Sequence, residues 1–289
     1  MKVLVEVLNE ILNFILAAFY ALLGFFWRLP DSREGYKNPV ILIPGLLGSP
    51  LVFWQLRRRL IKEEYPVYTP WLSYQTAHFE ESARTLEQFI LENNLRDVYI
   101  IGHATGGLIV TQMGYKGRDR IKKFFSLSTP FHGSLMGLLF YFLPAGRQSV
   151  RGSAFIKNNE INFMTFPNLQ CLYSSFDLAI IPGFQGKLGR SDDTEYPGLG
   201  HFNLLMSPKG IRFILEKLEL EDSKDEKPKV KKIPAKAEDL KGPKKPAPKT
   251  ANRKVAKSTE VKTKTAKGAT KTTTKVTSKN VRKNPKKKV

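Results

Sequence analysis

The segment Val98 to Gly114, VYIIGHATGGLIVTQMG, constrains the chain most, because it reads as a buried strand, a tight turn and a helix with almost nothing between them. The strand-forming run Val98 to Ile101 passes into Gly102, His103, Ala104, Thr105, Gly106 and Gly107, and then into the apolar Leu108, Ile109 and Val110. Strand and helix backbones approach closely at such a turn, so small residues are required on either side of its apex.

The rest of the sequence repeats the same alternation. VILIPG, from Val40, is a buried-strand pattern, and LVFWQLRRRLIKE places Leu51, Phe53, Trp54, Leu56, Leu60 and Ile61 close to one helical face. PVYTPWL is a second short strand, and FEESARTLEQFILENNL, with its acidic front, is a second helix. RIKKFFSLSTP and LQCLYS add strands, and PKGIRFILEKLEL closes the domain near Leu220 with a helix. Alternation of this kind predicts a mostly parallel sheet covered by helices on both faces. Between Phe131 and Pro167 the periodicity is lost in an apolar, glycine-containing stretch.

The turn at Ala104 has the form of a nucleophile elbow, and residues 40–220 resemble bacterial lipases and carboxylesterases of the α/β-hydrolase family. The resemblance implies the α/β-hydrolase fold and an elbow pattern GxSxG with the nucleophilic serine at its apex, which here is Ala104. A methyl group cannot attack a carbonyl, so the implied ester hydrolysis is expected to be absent or strongly impaired. The neighbouring Thr105 is a poor substitute, because an elbow presents only its apex side chain. Ser126 and Ser128 are the other hydroxyls at hand.

The rest of the implied constellation is present. Asp177, after the strand LQCLYS, matches the family's acid, and His201, on a loop before the last helix, matches its base, in the chain order this fold uses. Each alone is better explained as a loop N-cap or a packed surface imidazole; the shared order, the elbow and the GHFNLL context favour the pair. The loop IPGLLGS resembles the family's oxyanion loop, with Pro44 where histidine is frequent, and assigns the backbone N–H groups of Leu46 and Thr105 to the oxyanion hole. STPFHGS resembles a TPHHGS block of this lipase group, and the insert over about 131–167 resembles a lid or acyl-binding region, although a core strand and loop would carry the same apolar residues. His103 is expected to pack or hydrogen-bond, and His132 to orient a loop; His78 has no partner in sequence. No His, Cys, Asp or Glu set has metal-ligand spacing, so neither metal nor cofactor is expected.

Two flanking regions lie outside the resemblance. From Val3 to Trp27 the chain is apolar apart from Glu6, Asn9, Glu10, Asn13 and Tyr20, and Ile11 to Trp27 would extend about 26 Å as a helix. That is slightly short of a hydrocarbon core of about 30 Å. Residues 1–30 are read as a membrane-anchor helix whose polar first turns lie in the interface, with Phe25, Phe26, Trp27 and Arg28 as a belt; a buried first helix and a cleaved signal are the alternatives. Residues 31–39 then form a linker, and Arg28, Arg33 and Lys37 favour a cytoplasmic domain.

At the other end, 23 basic and 3 acidic residues follow Lys227, itself counted, which leaves 24 basic and 23 acidic before it. Of the net +21, all but one unit therefore belongs to a tail. Residues 221–289 hold almost no large apolar side chain and are expected to be disordered. Such a tail suits a polyanion, either anionic lipid or nucleic acid, unless it is merely solvated. Cys171 is single and is expected to be a buried apolar thiol, which fits a reducing compartment.

Overall fold

The computed structural model describes residues 2–72, 75–166, 168–190 and 192–225. The lysine-rich segment therefore lies outside the described residues.

The elements, in chain order, are α1 (Lys2–Leu23), β1 (Val40–Ile43), α2 (Trp54–Lys62), β2 (Val67–Tyr68), α3 (Phe79–Glu92), β3 (Val98–His103), α4 (Thr105–Thr111), α5 (Tyr115–Arg118) and β4 (Ile121–Leu127). They continue with α6 (Pro144–Ser149), α7 (Ala154–Met164), β5 (Leu169–Tyr173), β6 (Thr194–Glu195), α8 (His201–Met206) and α9 (Pro208–Asp225). Tight 3-10 turns occupy Pro50–Phe53 and Leu135–Phe140. The six strands form one sheet in the order β2-β1-β3-β4-β5-β6, and every pairing is parallel.

A parallel sheet with both faces covered needs apolar residues at every strand position, and alternate residues must enter different cores. Ile41, Ile43, Ile100, Phe124, Leu169 and Cys171 face one core, packed by α3, α4 and α7. Val40, Leu42, Tyr99, Ile101, Phe125, Leu127 and Leu172 face the other, packed by α2, α8 and α9. Cys171 is buried, its thiol hydrogen-bonds the Gly186 carbonyl at 3.0 Å, and burial raises the thiol pKa.

Where periodicity is weak, local capping makes the helices. The segment 131–167 holds α6, α7 and the turn Leu135–Phe140, against the loss of pattern read from the sequence. Ser134 accepts from Met136 N, Ser153 accepts from Ile156 N, and Pro144 opens α6, which supplies the starts that the apolar spacing does not advertise. Helix α9 runs past Leu220 to Asp225, because Asp222 accepts hydrogen bonds from both Tyr65 and Tyr99 (2.7 Å for Tyr99).

Helix α1 packs on the domain with its polar stripe inward. Glu10 and Ala17 are its buried residues, and Ala17 joins the core of α2, α8 and α9. Leu4, Leu8, Leu12, Ile15 and Phe19 are exposed. The segment after it is tied down as well: Ser32 bridges Val67, and Asp31 accepts from Thr69 N at 3.0 Å.

Candidate active site

Loops at the carboxyl ends of β1, β3, β4 and β5 converge, which is where open α/β sheets place ligand sites. The turn between β3 and α4 forms the centre. Ala104 sits at φ 51, ψ −131, a backbone region that L-residues enter only under constraint. Ala104 N donates to Leu127 O at 2.9 Å, and its carbonyl accepts from Gly107 N at 3.1 Å. The glycines beside it are sterically required. A Cβ on Gly106 would lie 2.5 Å from the Ile43 carbonyl oxygen, and one on Gly107 would lie 2.0 Å from Thr129 Oγ1.

The two titratable residues read from the sequence meet. His201 Nδ1 and Asp177 Oδ2 are 2.9 Å apart and both residues are buried. The other oxygen of Asp177 accepts from Ala179 N at 2.9 Å and Ile180 N at 2.8 Å, so the same carboxylate caps its loop and contacts His201. Burial alone would raise the Asp177 carboxyl, but the charge of His201 and these hydrogen bonds hold it below its usual range. Burial likewise works against a charged His201, yet the charge and hydrogen bond of Asp177, with Glu10 adding to them, lift the imidazole above its ordinary value. His103 lies beside it, ring centroids 4.4 Å apart, with Nε2 3.4 Å from the His201 carbonyl oxygen. Burial first, and then the charge of His201, keep His103 far below the ordinary imidazole value, so it stays neutral.

The loop after β1 reaches the elbow directly. Leu46 N donates to Thr105 Oγ1 at 2.7 Å, so the two residues expected to supply oxyanion donors are neighbours, and the Thr105 hydroxyl occupies the Leu46 N–H. Ser134 ties the following segment to the Asp177 loop: its hydroxyl donates to Ala179 O at 3.0 Å and accepts from Ile181 N at 3.2 Å. His132 stacks edge-on to Phe163, 5.6 Å between centroids, outside this cluster, and His78 is exposed at the start of α3. Ser126 and Ser128 are fully buried.

A cavity of about 610 Å³ connects these parts. Ala104, Thr105, His103, His201 and Leu46 form its floor, and Met136, Leu139 and Phe140 line one wall. The opposite wall is α1, through Phe14, Ala17, Ala18, Ala21 and Leu22, with Phe25 beyond its end. That wall was not foreseen from the sequence. Its signal is the stripe Glu6, Glu10, Asn13, Ala17, spaced so that one face of an otherwise apolar helix is polar and small. The residues that line the cavity and remain exposed, Phe14, Ala18, Leu22, Phe25, Leu47 and Leu139, are all apolar, so its rim carries no charge.

The profile described as the alpha/beta hydrolase fold matches residues 38–202. No curated protein matches the chain in sequence. Among solved structures the chain is similar to the mature lipase of Bacillus licheniformis, at 17% identity and TM-score 0.51 over 67% of this chain and 94% of that one. It is similar to lipase B of Aspergillus fumigatus, at 16% identity and TM-score 0.55, over 63% of this chain and 52% of that one, about half its length. A third similar structure is an alpha/beta hydrolase enzyme from a lagoon-sediment metagenome of Mar Chica, Morocco, at 15% identity and TM-score 0.53 over 67% and 94% of the two chains. At these identities the likeness establishes the shared fold.

Proposed function

The chain belongs to the alpha/beta-hydrolase fold family, and from that premise we propose that it holds esters of long acyl chains in a lipase-type site whose turnover is removed by Ala104. The observation that carries this reading is the His201–Asp177 pair, 2.9 Å apart, with His201 lining an apolar cavity together with an apex residue held in elbow geometry.

With a serine at position 104, the steps follow from the geometry. His201, oriented through Nδ1 by Asp177, takes the hydroxyl proton as the oxygen attacks the ester carbonyl carbon. The backbone N–H groups of Leu46 and Thr105 face the oxygen that becomes negative, once the Thr105 hydroxyl turns away from Leu46. His201 then returns the proton to the departing alkoxide, and a water repeats the cycle on the acyl-enzyme. In the chain as it stands the methyl of Ala104 ends this sequence before its first step. Thr105 does not replace it, because an elbow presents its apex side chain, here the methyl of Ala104, to the reacting carbonyl.

The cavity supports an acyl ligand. Its lining is apolar apart from His103, Thr105, Ser134, Ser149 and His201, and the uncharged rim continues into the exposed apolar face of α1 and the turn Leu135–Phe140, which suits entry from a lipid surface. Helix α1 is long and apolar enough to cross a membrane by composition. While its inner face is docked on the domain, it suits a position in the plane of the interface instead, since a perpendicular crossing would draw Glu10 away from α8. The same Ala104 favours a second reading, a non-catalytic acyl-lipid or partner carrier whose basic tail holds a polyanion.

Hydrolysis of short and long p-nitrophenyl esters by the full chain, unchanged and as Ala104→Ser, separates these. The serine form is expected to gain a rate on the order of a million-fold over the parent, whose rate stays near background. Turnover by both forms overturns the reading of the elbow, and silence in both assigns the carrier function.

A further inference from the structure

The histidine helix is held from the far end of the chain. Helix α8 begins at His201, and the residue before it, Gly200, has no side chain with which to cap the first amides. A helix leaves its first N–H groups without partners, and buried ones must find an acceptor. Glu10 of α1 supplies it for three residues in a row: Oε1 accepts from His201 N at 2.7 Å and Phe202 N at 3.0 Å, and Oε2 accepts from Asn203 N at 2.7 Å. The glutamate is 1% exposed, on a helix whose Leu4, Leu8 and Leu12 are exposed.

Gly200 is built to admit that carboxylate. It sits at φ +113, and a Cβ there would lie 2.1 Å from Glu10 Oε2. The surrounding contacts repeat the same attachment. Leu199 N donates to Glu6 Oε2 at 3.1 Å, Asn203 Nδ2 donates to the Glu6 carbonyl at 2.8 Å, and Asn13 Nδ2 donates to Asn203 Oδ1 at 2.9 Å. The Phe14 ring meets Phe202 edge-on at 5.6 Å.

We propose that Glu10 is a positioning residue for His201, so that the N-terminal helix is a working part of the site. Asp177 sets the orientation of the imidazole ring, and Glu10 sets the backbone from which the ring projects. Two constraints from separate parts of the chain then leave the imidazole one place to be. A helix staple alone would add stability only; a positioning residue also changes how His201 holds and transfers a proton. The charged or titratable side chains that face His201 are Asp177 from the loop after β5, His103 from β3 and Glu10 from α1.

The proposal rests on the role given to His201 above, and its first test needs no turnover. The full chain in detergent micelles, with ring-nitrogen-labelled histidine, carries four histidines, and His201→Gln identifies the resonance of interest. Glu10→Gln removes the charge and is expected to lower the His201 titration midpoint by about half a unit. In the Ala104→Ser background it is expected to lower kcat about a hundred-fold with KM little changed, because a small displacement of the base costs that much. Glu10→Asp keeps the charge but shortens the reach, so it restores the midpoint more than it restores kcat. It also carries the test if the glutamine form does not fold. An unmoved midpoint together with an unmoved kcat, whatever the change in melting temperature, overturns the proposal. A shifted midpoint with no turnover in any serine form upholds it while removing the hydrolase reading.

Discussion

Strand β3 and helix α1 are both apolar segments, and they are built in opposite senses. All six residues of β3 are buried, and its apolar side chains divide between the two cores. In α1 the buried residues are a glutamate and an alanine, while Phe26, just past its end, is 92% exposed. Apolar character therefore predicts the inside only where the chain itself supplies the partner surface. In β3 the helices on both faces of the sheet do so. In α1 the domain offers α8, whose amides select the glutamate, and leaves Leu4, Leu8 and Leu12 exposed.

The comparison can be broken or sharpened by stability measurements on the full chain, taken from the largest expected change downward. Gly106→Ala drives a methyl into the Ile43 and Pro44 carbonyl oxygens at 2.5 and 2.6 Å, with backbone on both sides and nowhere to yield. It should cost about 3 kcal/mol, a fall of about 6–12 °C in Tm; a fall under 2 °C, on the order of half a kcal/mol, means the elbow is not tightly packed.

Ala104→Gly tests the strain at the apex. Removing the Cβ from a residue at φ 51 should stabilise the fold by about 1 kcal/mol after the entropy of the glycine is counted. Destabilisation instead would show that the alanine is at ease there.

The smallest effect belongs to α1. Leu12→Ser on its outer face, where Leu12 is 62% exposed, should change stability by less than about 0.5 kcal/mol. The same change should weaken cosedimentation with lipid vesicles about tenfold, since it removes roughly 1.5 kcal/mol of apolar transfer. A large loss of stability with unchanged vesicle binding would mean that this face packs on protein.

Much of the architecture is legible in local pattern. The runs at Val40, Val98 and Ile121 become strands because β-branched and aromatic residues fill both faces of a buried sheet, and the small residues around Ala104 mark a place where strand and helix backbones approach closely. Asp177 and His201 are legible through their order along the chain and their places after a strand and before a helix. Other parts are hidden for physical reasons. Helices α6 and α7 are short and are started by Pro144 and Ser153, a signal carried by single capping residues and not by a repeating face. The Leu46 N–H is taken by a hydroxyl that only the folded loop brings near. Glu10 and His201 are separated by 191 positions, and nothing local to either one names the other.

The sequence by itself determined that the runs at Val40, Val98 and Ile121 become strands, that strands alternate with helices, and that a methyl stands at the apex of the turn after β3, because backbone propensity and side-chain chemistry are local properties. The tertiary structure alone decided which way α1 turns and what it holds. A polar stripe on an apolar helix is satisfied equally by water, headgroups or protein, and the choice was made by three buried amides at the start of α8 that had no other acceptor.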